Sequence, residues 1–320
     1  MSDFPSGCLG KLPLHGDFIR LNAAGPEVYE LDHWIQEGIV QGYNELDSRW
    51  DSTFDAAPPA RFIYVSPRGQ KVLAGLFRPS VDRAGRRFPF LIYALIDAAA
   101  ISKDVGLLPF AMQPFLARAN ELVSFAGSAA NLNMYLSSFE SLRLALDLGE
   151  ARRNFARFVL ARTGGETWTA SFGAATDDRR YSAMQAISEG ADMRQGQSLM
   201  VRIPLVEPEP EAAFWIELAR RLSKDGRAPT LAIWNEASGS EAGVATQPRL
   251  HLAFGDLKAR SFLPFVLPQR QSAELLDFGS EAARGHALAR RGESKFHEAL
   301  NQPDLKLSDL LQRLPRLKLL

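Results

Sequence analysis

Three apolar runs, residues 61–66, 72–77 and 89–96, are separated by segments that can only be turns. Ser66-Pro67-Arg68-Gly69 places proline at the second and glycine at the fourth position, where fixed φ and absent Cβ are wanted. Asp82-Arg83-Ala84-Gly85 repeats that chemistry before the third run. Strands joined so closely pair antiparallel, and the spacing predicts a meander. The nearly continuous apolar character of 89–96 implies a strand covered on both faces.

Helices surround this core. Leu31, Trp34, Ile35, Gly38, Ile39, Gly42, Tyr43 and Leu46 recur at three and four, predicting a helix over 26–47 with Pro26 at its start. Its glycines suggest close packing against something flat, such as a sheet. Further helices are expected over 107–123 and over 138–161, the latter burying Leu142, Ala145, Leu146, Phe155, Phe158 and Val159. The acidic Glu207-Pro208-Glu209-Pro210-Glu211 starts another, which buries Phe214, Trp215, Leu218 and Leu222. Strands are expected over 199–206, 230–234 and 249–254, with Trp168 also in a strand and 235–248 a surface loop. From about residue 273 the chain reads as amphipathic helix, ending in the stripe Leu307, Leu310, Leu311 and Leu314. The class implied is α/β. Because the apolar strands need two covers, a three-layer α-β-α sandwich with a mixed, partly antiparallel sheet is expected. Residues 1–270 would form the main domain, and 271–320 a helical extension packed on it.

Charge excludes some functions. Lysine plus arginine equals aspartate plus glutamate, 37 each, so there is no positive excess to hold nucleic acid or an anionic membrane. The single cysteine, Cys8, rules out an internal disulfide and any multi-cysteine zinc site. No signal peptide and no bilayer-long apolar stretch are read, so a cytoplasmic protein without membrane insertion is expected.

Two segments are richer in Gly, Pro, Asp and Arg than ordinary loops need. One is Gly10-Lys11-Leu12-Pro13-Leu14-His15-Gly16-Asp17-Phe18-Ile19-Arg20; the other runs from Ala74-Gly75 through Pro79-Ser80-Val81-Asp82-Arg83-Ala84-Gly85-Arg86-Arg87-Phe88-Pro89. No histidine pair has metal-ligand spacing, and Gly7 and Gly10 stand too close for a phosphate-binding P-loop, so neither metal nor cofactor is expected. Ser80, His15 and Asp17 or Asp82 supply the residue types of a hydrolase, but Ser80 is not on a Gly-x-Ser-x-Gly elbow. Lys11, Arg20, Arg83, Arg86 and Arg87 could instead form an anion fork. A plainer reading has Asp17 and Asp82 pairing with those arginines and tying the segments together.

Those two segments, with Trp34, Trp50 and Arg61-Phe62, resemble the signature of the TagF (ImpM) family of type VI secretion accessory proteins. The resemblance is strongest over 7–96, with a weaker echo at Ala232-Ile233-Trp234 and 255–265. It implies a cytoplasmic, non-enzymatic regulator that represses secretion after translation, with a forkhead-associated scaffold protein as partner. It transfers no catalytic residues. The positions it marks as motif or partner-binding candidates are Lys11, His15, Asp17, Arg20, Ser80, Asp82, Arg83 and Arg86. A hydrolase using Ser80, His15 and Asp17 or Asp82 is the alternative.

Overall fold

The computed structural model describes residues 2–174, 178–235, 247–267, 270, 275–280 and 296–319. The fold is α/β, and its chain divides into two compact units. The first comprises Met1–Ile101, Ala111–Asp147 and Lys258–Ser272; the second comprises Ser102–Phe110, Leu148–Leu257 and Ala273–Leu320.

In the first unit the predicted meander is present. Strand β3 (Ala60–Val65) pairs antiparallel with β4 (Lys71–Arg78), and β4 with β5 (Phe90–Asp97). Burial of β5 is nearly unbroken from Phe90 to Ala94, as its continuous apolar run requires. What the sequence did not suggest is that β1 (Ser2–Gly10) extends this sheet, pairing with β5, with β2 (Ile19–Leu21), and through its first residues with β6 (Arg143–Leu146). Gly75 sits where a Cβ would come within 1.9 Å of the Ile92 carbonyl oxygen, so no side chain fits there.

Helix α1 (Pro26–Leu46) matches the expected helix. Its glycine face meets aromatic rings instead of a sheet. A Cβ on Gly38 would lie 2.4 Å from the Phe262 side chain, and one on Gly42 would lie 2.1 Å from the Trp50 ring. The Trp34 indole N–H donates to the Lys258 carbonyl at 3.0 Å and the Ser261 hydroxyl at 3.2 Å. Helix α2 (Trp50–Asp55) follows, burying Trp50 and Phe54. Glu27 accepts from the amides of Gln70 and Lys71, and Glu30 from the Tyr64 and Ser66 hydroxyls, so α1 holds the β3–β4 turn.

Two predicted helices are not continuous. The 107–123 segment breaks at Met112, and helix α3 (Gln113–Phe125) starts with Pro114 in its first turn, where a missing donor is harmless. The 138–161 segment contains a 3₁₀ turn (Ser138–Ser141), strand β6 and then helix α4 (Leu148–Ala161). Leu144 and Leu146 are buried while Arg143 and Ala145 are exposed, the two-residue period of a strand.

The second unit has a mixed sheet in the order β10–β7–β9–β8. Strands β7 (Ser198–Pro204), β8 (Leu231–Asn235) and β9 (Arg249–Gly255) pair antiparallel, and β10 (Leu275–Asp277) runs parallel to β7. Around it lie α4 and helices α5 (Gly164–Phe172), α6 (Arg179–Ala191), α7 (Pro208–Leu222) and α8 (Leu307–Leu319). Trp168, expected in a strand, is on α5. Thr163 and Glu166 form a reciprocal capping box there, satisfying two otherwise orphaned amides. Helix α7 carries Glu209 and Glu211 in its first turn and Arg220 and Arg221 in its last, each matched to the helix dipole. It buries Phe214, Trp215, Leu218 and Leu222 as expected. The terminal leucine stripe is buried, and Lys318 of α8 bonds the carbonyls of Ser188 and Leu222. The expected loop over 236–246 and the expected helix over 281–295 lie outside the described residues.

Candidate functional site

The two sequence motifs become facing loops in the first unit. Gly10, at φ 129°, ends β1 where a Cβ would meet the Pro89 carbonyl at 2.0 Å, so the first loop leaves the sheet beside the second. The first loop turns at once, the His15 amide donating to the Leu12 carbonyl at 3.1 Å. The second closes on itself through Asp82 N to Arg86 O at 3.0 Å, Gly85 N to Asp82 O at 2.9 Å and Phe88 N to Ser80 O at 3.1 Å. Gly85 takes the left-handed conformation, φ 81°, that this tight turn needs.

Asp82 is the hub. Its side chain is fully withdrawn from solvent, and each oxygen takes two donors. Oδ1 accepts from the amides of Ala84 and Arg86, both at 2.9 Å; Oδ2 accepts from Lys11 Nζ at 2.9 Å and Arg86 Nε at 2.7 Å. Burial alone would raise this carboxyl. The bonds from Lys11 and from the Arg86 amide and guanidinium reverse that effect and hold it well below the usual carboxylate range. Arg86 reaches on to the Gly16 carbonyl at 2.6 Å, and Arg83 reaches the Leu14 carbonyl at 2.5 Å with its side chain and the His15 carbonyl at 3.0 Å with its amide. The first loop is thus held by bonds from the second, several of them charge-assisted.

The other candidate residues take separate places. Asp17, expected to share the role of Asp82, is exposed; its carboxylate accepts from the adjacent Phe18 amide at 2.7 Å and forms no ion pair among the described residues. Arg20 pairs instead with buried Asp32 of α1 at 2.8 Å and lies over the Phe18 ring. Arg87 is clamped by Asp55 and Asp51 of α2. The His15 backbone meets Arg83, and its ring is half-exposed. With four donors already on Asp82, an imidazole finds no free lone pair there.

Ser80 borders an open cleft of about 250 Å³ lined by Leu12, Asp55, Ala57, Pro59, Arg78, Pro79, Phe90 and Val123. Sequence reasoning missed Arg78, Asp32, Asp51 and Asp55. The i, i+4 spacing of the last two on one helix face was a usable signal, and Arg78 lies inside the second motif segment; Asp32 gave none. Among the described residues no cluster of three or more His, Cys, Asp or Glu is placed to hold a metal ion. None of their helices is long and apolar enough to cross a membrane.

Residues 7–140, which contain both loops, match the family described as "TagF N-terminal domain, Type VI secretion system-associated". Among solved structures, the crystal structure of PA0076 from Pseudomonas aeruginosa PAO1 is similar at 16% identity, covering 85% of this chain and 98% of that one with a TM-score of 0.49. No curated protein matches the chain. The Asp82 hub therefore lies within a segment similar to the N-terminal domain of the TagF family of type VI secretion system-associated proteins.

Proposed function

We propose that this protein is a cytoplasmic, non-enzymatic repressor that acts on the type VI secretion apparatus after translation by binding one of its components, a forkhead-associated scaffold protein. The observation that carries this reading is the Asp82 hub. Two backbone amides and the basic side chains of Lys11 and Arg86 engage the motif's buried acid, an arrangement suited to fixing the shape of two loops. A hydrolase built on Ser80, His15 and Asp82 would need that carboxylate to orient the imidazole, and Asp17 faces solvent. The loops instead offer a rigid, partly charged surface of the kind that sets partner choice.

Calorimetry of the purified protein against the forkhead-associated scaffold of the same secretion cluster, phosphorylated and unphosphorylated, tests it. Saturable binding of defined stoichiometry is expected. Absence of binding to either form overturns the choice of partner. A folded Ser80→Ala protein that still binds the scaffold but no longer represses secretion would favour the hydrolase.

A further inference from the structure

The cleft beside Ser80 is lined by a cation that none of the described residues pairs with. Lys11, Arg20, Arg83, Arg86 and Arg87 each bond to a carboxylate or a carbonyl. Arg78, at the end of β4 opposite Phe90, is half-buried, and its guanidinium has no ion pair and no hydrogen bond among the described residues. An anion entering the cleft would meet a guanidinium that has no competing acceptor among the described residues. The remaining walls are apolar or small: Leu12, Phe90 and Val123, with Ser80 as a neighbouring donor.

The geometry points to a site for a chain-terminal carboxylate carried next to an apolar side chain, as at the C-terminus of a polypeptide. Three features select this ligand class. The planar guanidinium fork matches a carboxylate in a two-bond arrangement. A volume of about 250 Å³ falls below that of cofactor and drug-sized sites, roughly 300–1,000 Å³, and suits a single residue. The rim acid Asp55, already committed to Arg87, leaves Arg78 as the one uncompensated charge lining the cleft, which favours a monoanion over a phosphate dianion. The site is independent of the regulatory reading above.

Saturation-transfer NMR on the full chain with N-acetyl-L-leucine tests it. Saturable binding is expected, about tenfold weaker for N-acetyl-L-leucinamide and for the Arg78→Gln protein. Because the Arg78 side chain makes no ion pair or hydrogen bond among the described residues, Arg78→Gln should keep the urea midpoint of the parent, so its loss of binding would not reflect unfolding. Equal binding of acid and amide, binding retained in Arg78→Gln, or no binding at all would overturn the site. Equal binding of 4-methylpentanoate, which lacks the peptide group, would overturn the chain-end assignment. Displacement of the acid by equimolar inorganic phosphate would overturn the preference for a monoanion.

Discussion

Lys11 Nζ and Asp82 Oδ2 lie 2.9 Å apart across 71 residues of sequence, and the carboxylate in that pair is fully shielded from water. Asp82→Ala would strip two charged groups and two amides of their acceptor at once. A loss of about 3 kcal/mol is expected, within the range for breaking a shielded pair. Asp17→Ala, at an exposed position, should stay within about 0.5 kcal/mol of the parent. Urea midpoints of the two variants check the contrast; equal effects would remove Asp82 from the centre of the motif.

The depressed carboxyl of Asp82 also makes stability depend on acid. The folded state keeps Asp82 ionised at pH values where the unfolded chain has taken up its proton. Its contribution is therefore complete above about pH 4, the ordinary aspartate range, and is lost as pH falls from there toward the folded-state value. Parent and Asp82→Asn proteins should differ in midpoint at pH 6 and converge progressively below pH 4.

His251 acts over a different window. Buried on β9 opposite Arg202 of β7 and Ile233 of β8, its imidazole is pushed down to about 3 by burial first and then by Arg202 and Arg249, with Asp277 opposing. Between about pH 6.5 and 3 the unfolded chain binds a proton that the folded chain refuses. Stability should fall by about 1.4 kcal/mol per pH unit across that interval from this group alone. Chemical denaturation of the parent and of His251→Gln at pH 7, 6 and 5 measures it; an identical slope in both would show that His251 is not its source.

Cys8, on β1, is buried, and its thiol is pushed up to about 12 by burial, against a smaller opposing effect of the Leu21 backbone hydrogen bond. The native protein should resist iodoacetamide at pH 8 and become reactive in denaturing urea, because the thiolate is the attacking species. Rapid native labelling would mean that β1 opens readily from the sheet.

Gly42→Ala tests the packing of α1. Alanine gains about 1 kcal/mol in helix propensity, yet its Cβ would enter the Trp50 ring at 2.1 Å, which requires the indole to move. A net loss of about 2 kcal/mol is expected from this overpacking. A more stable Gly42→Ala protein would mean that the ring yields at little cost.

The elements legible in the sequence are those whose signals are local. The 61–96 meander follows from its turn residues, and α1 and α7 from long, consistent apolar periods. The 138–161 segment misled because Leu142, Ala145 and Leu146 fit a helical stripe, whereas Leu142, Leu144 and Leu146 fit a strand equally well. Pairing with β1 decides between them, and that pairing joins Phe4 to Leu144 from far along the chain. Strand β1 itself was hidden by Pro5, Gly7 and Gly10, poor strand formers that a sheet tolerates where neighbours approach closely. On α5 the signal was present, since Thr163 and Glu166 stand three apart. Within the motifs, residue type showed that acids and bases would pair, but not which acid. Asp82 lies inside its own turn, with amides aimed at it, while Asp17 projects from a loop that turns it to water.

The bond from Trp34 to Lys258 spans 224 residues, and Phe77 meets Phe262 and Phe265 over a similar gap. On the ribosome, the face formed by Trp34, Gly38 and Phe77 emerges early and waits for a cover that is translated only after the strands and helices of another unit. Until then a growing chain presents an open aromatic surface of the kind that chaperones recognise. Release of residues 258–266 from the exit tunnel, rather than completion of the 7–140 domain, is the event that lets the first unit close.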